Sequence, residues 1–572
     1  MKQSASHLSS KTSIAALVIA GLLIVLAALY TPNKSFNEAG DWFSVVPAVV
    51  TIVMAIVTHR LLLSLISGIV LTGLILPFVP THEGGFAIAL YYPFKAVAGV
   101  VFDWWSIKVA AFVVLILMMI SVAIVGGGLR GIALYLERFA KDAKSSQLVT
   151  AVLGIIIFID DYANTMIVGS AMRPLTDRHR VSREKLAFLV DATSAPIAGL
   201  AVVSTWIAFE VALFQQVSDD LQLGLSGYNL FFDAVVYRFY CLFLLLFVFL
   251  NILTQRDFGF MYSAQFRAAT TGELVDPQSG AITSNEFESI HSEADVQARI
   301  RTALVPFIVL IGFFVCGLWI SGGGLALMKQ SVTAFLELVS WRQVLGKSDN
   351  STVLLIATSS SLLTALYFAK SAGAKTDTLM QAMRTGLKSS LLPISILFLA
   401  WALKNGFSDL KLGAYLVHTV GDVLSVAWFP ALVFITAALV SFGTGTSWGT
   451  MSLLIPIALP LAYSLDQGQY GLIMILSIAA VLDGAIFGDH CSPVSDTTIM
   501  SSIASSCDHL DHVKTQLPYA LFTGFLAVCC AYLPIALGVP YYAAWILALV
   551  LMLATLYLLG KQVVGGAGAS HQ

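Results

Sequence analysis

Carboxylates and small hydroxyls are concentrated in one short stretch of an otherwise apolar region of the chain. The stretch from Ala485 to Ser502 reads AIFGDHCSPVSDTTIMSS, and it follows the apolar run from Gly471 to Leu482. A carboxylate at the centre of a membrane helix costs about 2.5–3.5 kcal/mol, so Asp489 needs a partner or a wet cavity. Gly488 and Pro493 break a helix, and backbone groups freed at membrane depth need protein, water or a ligand. A broken helix rich in oxygen atoms suits a hard cation. The alternative is a polar loop between two spans.

The composition predicts the class of the protein. Of the 572 residues, 58% are hydrophobic and only 11% are charged, and the mean hydropathy is +0.85. These values predict an all-α polytopic membrane protein in contact with lipid. The net charge of -2 argues against a nucleic-acid partner. The six cysteines show no CxxC spacing, which argues against a disulfide framework or a zinc site. Because no P-loop or HExxH motif occurs, we expect neither enzyme activity nor a cofactor.

A second polar interruption, Asp160 to Asn164, lies within the apolar segment from Gln147 to Met172. Lys and Arg flank this segment on both sides, in Arg130 to Lys144 and in Arg173 to Lys185. The positive-inside rule places both flanks in the cytoplasm, and one span cannot have both ends there. The sequence therefore predicts a re-entrant hairpin over residues 147–172, with its polar tip in the bilayer interior.

A second hairpin is predicted over residues 429–465. This segment is too long for one span, and its centre, Phe442 to Thr450, is rich in glycine and threonine. Its flanks, Asp409 to Asp422 and Asp466 to Tyr470, are poor in Arg, which favours entry from the outer face.

The two hairpins belong to a predicted internal repeat. Each is followed by a long segment with a polar, proline-containing break, at Asp191 to Pro196 within residues 184–213 and at Asp489 to Pro493 within residues 472–503. Interrupted helices in matching places are typical of inverted-repeat transporters with a binding site near the midplane. The predicted repeats cover residues 43–254 and 302–537. A cytoplasmic loop at 255–301 separates them, peripheral spans lie at 1–30 and 541–559, and the count is about 12 spans plus two hairpins.

Three stretches carry a family resemblance. They are FIDDYANTMIVGSAMRPLTDRHRVSREKLAFLVDATSAPIAGLAVVSTWIAFE (Phe158 to Glu210), FGTGTSWGT (Phe442 to Thr450) and GDHCSPVSDTTIMSSIASSCDHLDHVKTQLPYA (Gly488 to Ala520). The chain resembles the NhaC-type sodium/proton antiporter family of the ion-transporter superfamily. The resemblance implies inverted repeats, paired hairpins, a homodimer and a bacterial cytoplasmic (inner) membrane. The charge pattern predicts that both termini lie inside. The transported ions would be Na+ and H+.

The predicted ion- or substrate-binding residues form two oxygen-rich groups. The first group is Asp160, Asp161, Asn164, Thr165, Asp191, Thr193 and Ser194. The second group is Thr444, Thr446, Ser447, Thr450, Asp489, His490, Ser492, Asp496 and Thr497. Asp161, Asn164 and Asp489 are the hypothesised sodium ligands. A proton antiporter needs one carboxylate for which sodium and a proton compete, and Asp489, Asp160 and Asp161 are the candidates. His490 either relays the proton or makes a structural hydrogen bond.

A further group of titratable side chains lies in the connector from Cys507 to Lys514, which contains two histidines. The spacing of the run from Cys507 to His512 is compatible with a metal site. Exposed histidines and aspartates on a short connector are more typical of a capped surface helix, which is the prediction here.

Two alternatives to sodium/proton exchange remain open. The resembled family includes relatives similar to malate/lactate antiporters and members associated with amino acids. A sodium- or proton-coupled carrier of a small organic anion or amino acid could use the same cation-binding groups. The absence of Arg or Lys at either hairpin tip favours the ion. A channel is a more remote alternative, because channels rarely need interrupted repeats.

Overall fold

The computed structural model describes residues 41–58, 60–78, 87–277, 296–337, 340, 341, 344, 347–412, 415, 425–493 and 495–563. The predicted peripheral span at 1–30 lies outside these residues, as does the middle of the predicted loop at 255–301.

Helices make up nearly all of the regular structure in these ranges. The first part of the chain contains α1 (Val46–Thr58), α2 (Leu61–Ile75), α3 (Ala87–Val101), α4 (Trp104–Val125), α5 (Gly128–Glu137), α6 (Ala143–Ile156), α7 (Asp161–Arg178), α8 (Arg183–Ala192), α9 (Ala195–Ala198), α10 (Thr205–Asp220), α11 (Gly227–Val235), α12 (Phe239–Thr254) and α13 (Gly259–Thr271). The second part contains α14 (Arg301–Ser321), α15 (Gly324–Gln330), α16 (Asn350–Ser371), α17 (Thr376–Asp409), α18 (Phe429–Thr444), α19 (Ser447–Leu465), α20 (Leu472–Cys491), α21 (Asp496–Ser505), α22 (His509–Leu526), α23 (Leu533–Ala536) and α24 (Tyr541–Leu558). A π-helical stretch, Ala527–Tyr532, joins α22 to α23, and the two-residue strands β1 (Arg256–Asp257) and β2 (Lys561–Gln562) pair antiparallel.

The predicted all-α membrane class is confirmed. Within the described ranges, nine helices are long and apolar enough to cross a membrane, or ten if the pair α11 and α12, bent by 43°, is one span. Large apolar side chains point outward from them, for example Leu363 and Tyr367 on α16. Such outward surfaces are suited to lipid, and the protein is a multi-pass integral membrane protein. The predicted count of about 12 spans stays a prediction.

One span differs from its predicted form. The sequence predicts an outward span at Leu391 to Ala402 after a basic loop, whereas α17 is a continuous helix of 34 residues. At about 1.5 Å per residue it is about 50 Å long, more than the roughly 30 Å hydrocarbon core. Its basic residues Arg384 and Lys388 therefore belong to a helical extension, because Arg and Lys are good helix formers.

All four predicted polar interruptions lie at or next to breaks between helices. The break between α6 and α7 covers residues 157–160, so Asp161 to Asn164 form the first turn of α7 rather than an irregular tip. Gly445, in the left-handed conformation (φ 68°), ends α18. Ser492 has an extended conformation after α20, as the following Pro493 requires. Re-entry of the pairs α6/α7 and α18/α19 into the membrane stays a prediction, as does the inverted repeat.

Helices α18 and α20 approach each other closely at two glycines. A Cβ atom at Gly484 would lie 2.3 Å from the carbonyl oxygen of Phe434, and one at Gly488 would lie 2.2 Å from that of Ala438. Glycine is needed at both positions because the backbones are in contact there. The close approach places the end of α20 beside the break between α18 and α19.

Candidate functional site

The first junction is the meeting point of the ends of α6 and α8 with the start of α7, and Asn164 holds it together. The Asn164 Nδ2 group donates hydrogen bonds to the carbonyl oxygens of Gly154 (2.7 Å), Ile157 (3.0 Å) and Thr193 (2.9 Å). These carbonyls lie at helix ends, where no partner exists within the helix. A Cβ atom at Gly154 would lie 2.0 Å from Thr193 Oγ1, so the two helix ends are in direct contact.

Two buried carboxylates accompany this junction. Asp160 lies in the break, and its Oδ2 accepts a hydrogen bond from the Thr205 hydroxyl of α10 at 3.1 Å. Asp161 is the first residue of α7 and is 2% exposed. A carboxylate in the first turn of a helix is stabilised by the helix dipole. The structure therefore brings Asp160, Asp161 and Asn164 together, as the sequence predicts.

The second junction is the meeting point of the break between α18 and α19 with the end of α20. The Ser447 N–H group donates to Asp489 Oδ2 at 3.3 Å, and the Ser447 hydroxyl donates to the same oxygen. The Ser492 hydroxyl donates to the Phe442 carbonyl oxygen at 2.8 Å. Asp489 thus lies at the N-terminus of α19, a position that favours a negative charge.

Gly445 to Gly449 have the GxSxG spacing of a hydrolase nucleophile turn. The motif here joins two helices instead of a strand and a helix, and Ser447 bonds a carboxylate rather than an imidazole. It therefore lacks the context that a hydrolase requires.

The two junctions share one electrostatic neighbourhood. The charge of Asp161 acts on those of Asp160 and Asp489, and the charge of Asp191 also acts on that of Asp489. Like charges repel strongly at low dielectric constant, so a cation or a proton stabilises such a group of carboxylates. Among the residues that the structure describes, no three His, Cys, Asp or Glu side chains form a metal-binding group. A sodium site here would also use hydroxyl, amide or carbonyl oxygens.

One oxygen atom at each junction is buried without a hydrogen-bond partner. These atoms are Asn164 Oδ1 at the first junction and Asp489 Oδ1 at the second. Buried side-chain oxygens are nearly always paired, so an unpaired one needs a specific explanation. Both atoms are of the type that binds Na+.

Most of the predicted hydroxyl groups bond to their own backbone. Those of Thr165, Thr444 and Thr450 donate to carbonyl oxygens of their own helices at 2.9 Å each. The Thr193 hydroxyl donates to the Leu189 carbonyl oxygen, and the Ser194 hydroxyl donates to the Asp191 carbonyl oxygen. The Thr446 side chain caps the N-terminus of α19, and the hydroxyls of Thr497 and Ser495 are hydrogen-bonded to each other. Asp496 is the one predicted carboxylate whose side chain is exposed, although its charge also acts on that of Asp489.

Asp191 faces α22 through one carboxylate oxygen. Its Oδ2 accepts hydrogen bonds from Gln516 Nε2 at 2.8 Å and from the Thr498 hydroxyl at 3.3 Å. The Nε2 atom of His512 lies 3.7 Å from the same oxygen. His512 is fully buried, so the predicted surface location of this histidine is wrong, although Asp508 caps α22 as expected.

His490 makes a hydrogen bond that fits a structural role. Its Nδ1 atom lies 2.9 Å from the Tyr240 hydroxyl, and its Nε2 atom lies 4.0 Å from Asp191 Oδ2. The bond to Tyr240 fixes the orientation of the ring. Its role as a proton relay stays a hypothesis.

The sequence analysis missed a buried ion pair between α12 and α20. Arg238 Nε donates to Asp483 Oδ1 at 2.8 Å, and Arg238 Nη1 lies 3.6 Å from a Glu210 oxygen. The second Asp483 oxygen accepts hydrogen bonds from the Tyr240 N–H and the Tyr532 hydroxyl. Each of Arg238 and Asp483 is an isolated charge beside an apolar run, which is the signal that could have indicated them.

Comparisons with known proteins agree with this architecture. The model of the Na+/H+ antiporter family matches residues 197–533. An uncharacterized protein of Haemophilus influenzae is 30% identical over 487 residues, covering 84% of this chain and 88% of that protein. The malate-2H(+)/Na(+)-lactate antiporter of Bacillus subtilis is 31% identical over 139 residues, covering 24% of this chain and 29% of that protein. The crystal structure of the Alcanivorax borkumensis YdaH transporter covers 86% of this chain and 98% of its own, with a TM-score of 0.52 and 15% identity, and shows the fold alone.

Proposed function

The chain belongs to the Na+/H+ antiporter family, and from that premise we propose that it exchanges sodium ions for protons. It is a secondary transporter, and we place it in a bacterial cytoplasmic (inner) membrane. The proposed mechanism is alternating access, in which the two repeats move relative to each other around the junctions.

The observation that carries this proposal is the pair of unpartnered buried oxygens at the two junctions. Asn164 Oδ1 and Asp489 Oδ1 have no hydrogen-bond partner. Asp161 adds a second buried carboxylate whose charge acts on that of Asp489. We assign Asp161, Asn164 and Asp489 as sodium ligands, because Na+ is a hard cation that takes oxygen atoms.

Competition at Asp489 explains how exchange would work. Its carboxylate is buried and keeps one oxygen engaged by Ser447 while the other is unpartnered. A buried carboxylate in this setting is stable when it binds either a cation or a proton. Binding of one ion therefore displaces the other, and each binding event can occur on a different side of the membrane.

The orientation and assembly are part of the same proposal. Both termini lie in the cytoplasm, and the basic flanks of residues 147–172 lie there as well. Single cysteines at Lys144 and Arg178, in a cysteine-free variant, should both react with an impermeant reagent from the cytoplasmic side. Labelling from opposite sides would contradict the hairpin. The homodimer rests on the family resemblance.

The second candidate is a coupled carrier of a small organic anion. The local similarity to the malate-2H(+)/Na(+)-lactate antiporter favours it. Arg238 is a buried cation that could attract such an anion, but it already contacts Asp483 at 2.8 Å and Glu210 at 3.6 Å. Its charge is thus offset by two carboxylates, so the ion remains the preferred substrate.

Purified protein in liposomes with an internal pH dye tests the function. An inward sodium gradient alone should move protons outward, and collapse of the sodium gradient should stop the movement. Proton movement that requires added malate, lactate or an amino acid would overturn the antiporter assignment in favour of the second candidate.

A further inference from the structure

A continuous line of polar groups runs from the start of α22 to Asp191. His509 Nδ1 lies 3.2 Å from the Ser502 hydroxyl, which lies 2.9 Å from His512 Nδ1. His512 Nε2 lies 2.9 Å from Gln516 Oε1, and Gln516 Nε2 donates to Asp191 Oδ2 at 2.8 Å. These five residues are called the histidine path.

The ends of the histidine path differ in their access to solvent. His509 is the first residue of α22 and is half-buried, whereas Ser502, His512 and Gln516 are at most 1% exposed. Asp191 is also buried, and its Oδ1 atom has no hydrogen-bond partner. The path therefore joins a partly accessible imidazole to a buried carboxylate.

The chemistry of the partners fixes the direction of most hydrogen bonds. A carbonyl oxygen only accepts, so His509 Nε2, which lies 2.7 Å from the Pro493 carbonyl oxygen, must carry a hydrogen. Gln516 donates to Asp191 through its amide nitrogen, so its oxygen accepts from His512 Nε2. His512 Nδ1 is then the acceptor, and the Ser502 hydroxyl is its donor.

The hydrogen of the Ser502 hydroxyl can point in either of two directions. Its single hydrogen has two acceptors, His512 Nδ1 and the Thr498 carbonyl oxygen at 2.7 Å. When the hydrogen points to His512, Ser502 can accept a hydrogen from His509 Nδ1, which requires a doubly protonated His509. All donors along the path are then aligned from His509 toward Asp191.

We propose that the histidine path carries protons between the start of α22 and Asp191 and so couples proton entry to the competition at Asp489, an inference that rests on the sodium/proton exchange proposed above. The His509 Nδ1–H bond breaks as the Ser502 O–H bond forms, and the original Ser502 hydrogen passes to His512 Nδ1. The His512 Nε2–H bond then breaks, and its hydrogen binds Asp191 Oδ2, 3.7 Å away. Ser502 and His512 each gain one proton and lose one, His509 becomes neutral, and Asp191 becomes protonated. A contraction of less than 1 Å brings His512 Nε2 and Asp191 Oδ2 within hydrogen-bond distance. Gln516 holds both side chains in place and carries no proton.

The groups around His512 allow it to pass a proton and not only to hold one. The titratable groups that face it are Asp191 on α8, His490 on α20 and His509 one turn earlier on α22. The Asp191 carboxylate stabilises a transient imidazolium, and the two other imidazoles oppose it. The charge of Asp191 also acts on that of Asp489, so a proton that arrives on Asp191 weakens sodium binding at the second junction.

Two exchange reactions separate this role from a structural one. Sodium/proton exchange needs the path, whereas sodium/sodium exchange, measured with radioactive sodium, moves no net proton. We expect Ser502→Ala and His512→Gln to reduce sodium/proton exchange by about tenfold or more, given that a positioned proton carrier contributes about 10²–10⁴-fold. Sodium/sodium exchange should stay within about twofold, since the sodium ligands are untouched.

A variant at the outer end of the path gives an independent measurement. His509→Gln keeps a polar side chain there but cannot pass a proton to Ser502, so sodium/proton exchange should fall by about tenfold or more while sodium/sodium exchange stays within about twofold. Thr515→Ala is the matched control, because its hydroxyl lies on the same helix and donates only to backbone carbonyls of α22. We expect wild-type behaviour from it in both exchange reactions.

The outcomes distinguish the path from the proposed function. Wild-type sodium/proton exchange in both Ser502→Ala and His512→Gln, or an equal fall of both exchange reactions, would overturn the path and leave the antiporter assignment intact. Absence of sodium/proton exchange in the wild-type protein would instead overturn the proposed function.

Discussion

The two junctions are built alike but are held by different chemistry. At the first junction, the neutral amide of Asn164 binds three carbonyl oxygens at 2.7–3.0 Å. At the second junction, the carboxylate of Asp489 binds the hydroxyl and N–H groups of Ser447. An amide keeps its hydrogen bonds at any physiological pH, whereas the bonds of a carboxylate change when it binds a proton or a cation.

This difference suggests a division of roles between the junctions. The first junction keeps three helix ends in fixed positions, and its carboxylates Asp160 and Asp161 are attached to that rigid unit. If Asp489 binds sodium and a proton in turn, as proposed, the second junction loosens when the bound ion changes, because the hydrogen bonds to Ser447 depend on the charge of Asp489. We expect substitutions at the second junction to affect mainly transport, and substitutions at the first to lower stability in addition to sodium binding.

The largest effect is expected from Asp489→Asn, which keeps the size of the side chain but removes its charge. Sodium/proton exchange in proteoliposomes should be lost while the protein still folds and inserts. Asp377→Asn is the matched control, since Asp377 is an exposed carboxylate at the start of α17, outside both predicted groups. If both variants were as active as the wild type, Asp489 would have a structural role and would not bind the exchanged ions.

A smaller effect, on stability, is expected from Asn164→Ala. Three carbonyl oxygens would lose their donor, and each unsatisfied buried group costs about 1–3 kcal/mol. The midpoint of thermal unfolding in detergent should fall clearly. Thr165→Ala should leave it almost unchanged, because the Thr165 hydroxyl bonds only the Tyr162 carbonyl oxygen. An unchanged midpoint for Asn164→Ala would show that the amide does not hold the junction.

The smallest effect is expected from Ser447→Ala, which removes one of the two donors to Asp489. A hydrogen bond to a charged group contributes about 1.5 kcal/mol or more, so the half-saturating sodium concentration should rise by about tenfold. Ser441→Ala, which removes a hydroxyl bond to the Ala485 carbonyl oxygen, is the control. If Ser447→Ala changed which organic solute stimulates flux, the organic-anion alternative would be favoured instead.

The helix interruptions could be predicted because their causes are local. Pro196, Gly445 and Pro493 stop or redirect a helix through their own backbone geometry. The break after α6 has no proline or glycine, and it was predicted from the polarity of Asp160 to Asn164 within an apolar segment. The predicted break therefore lies a few residues from the observed one. Polarity indicates how deep a segment lies in the membrane, but it does not determine the backbone dihedral angles.

Long-range pairing could not be predicted from the sequence. Arg238 and Asp483 are 245 residues apart, and the sequence around either residue does not indicate its partner. His512 was assigned to the surface because the residues around it are polar, yet α22 packs against α8 and α13 and buries it. Burial depends on how helices meet, which a single sequence does not contain.

The glycine contacts between α18 and α20 also bear on how the protein can move. Gly484 and Gly488 bring the two backbones together without intervening side chains, so one helix cannot slide past the other without a clash. Under the proposed alternating access, the two helices would therefore move as a rigid pair. The hinges would lie instead at the helix breaks, such as Gly445 and Ser492, where a few dihedral angles can absorb the rotation.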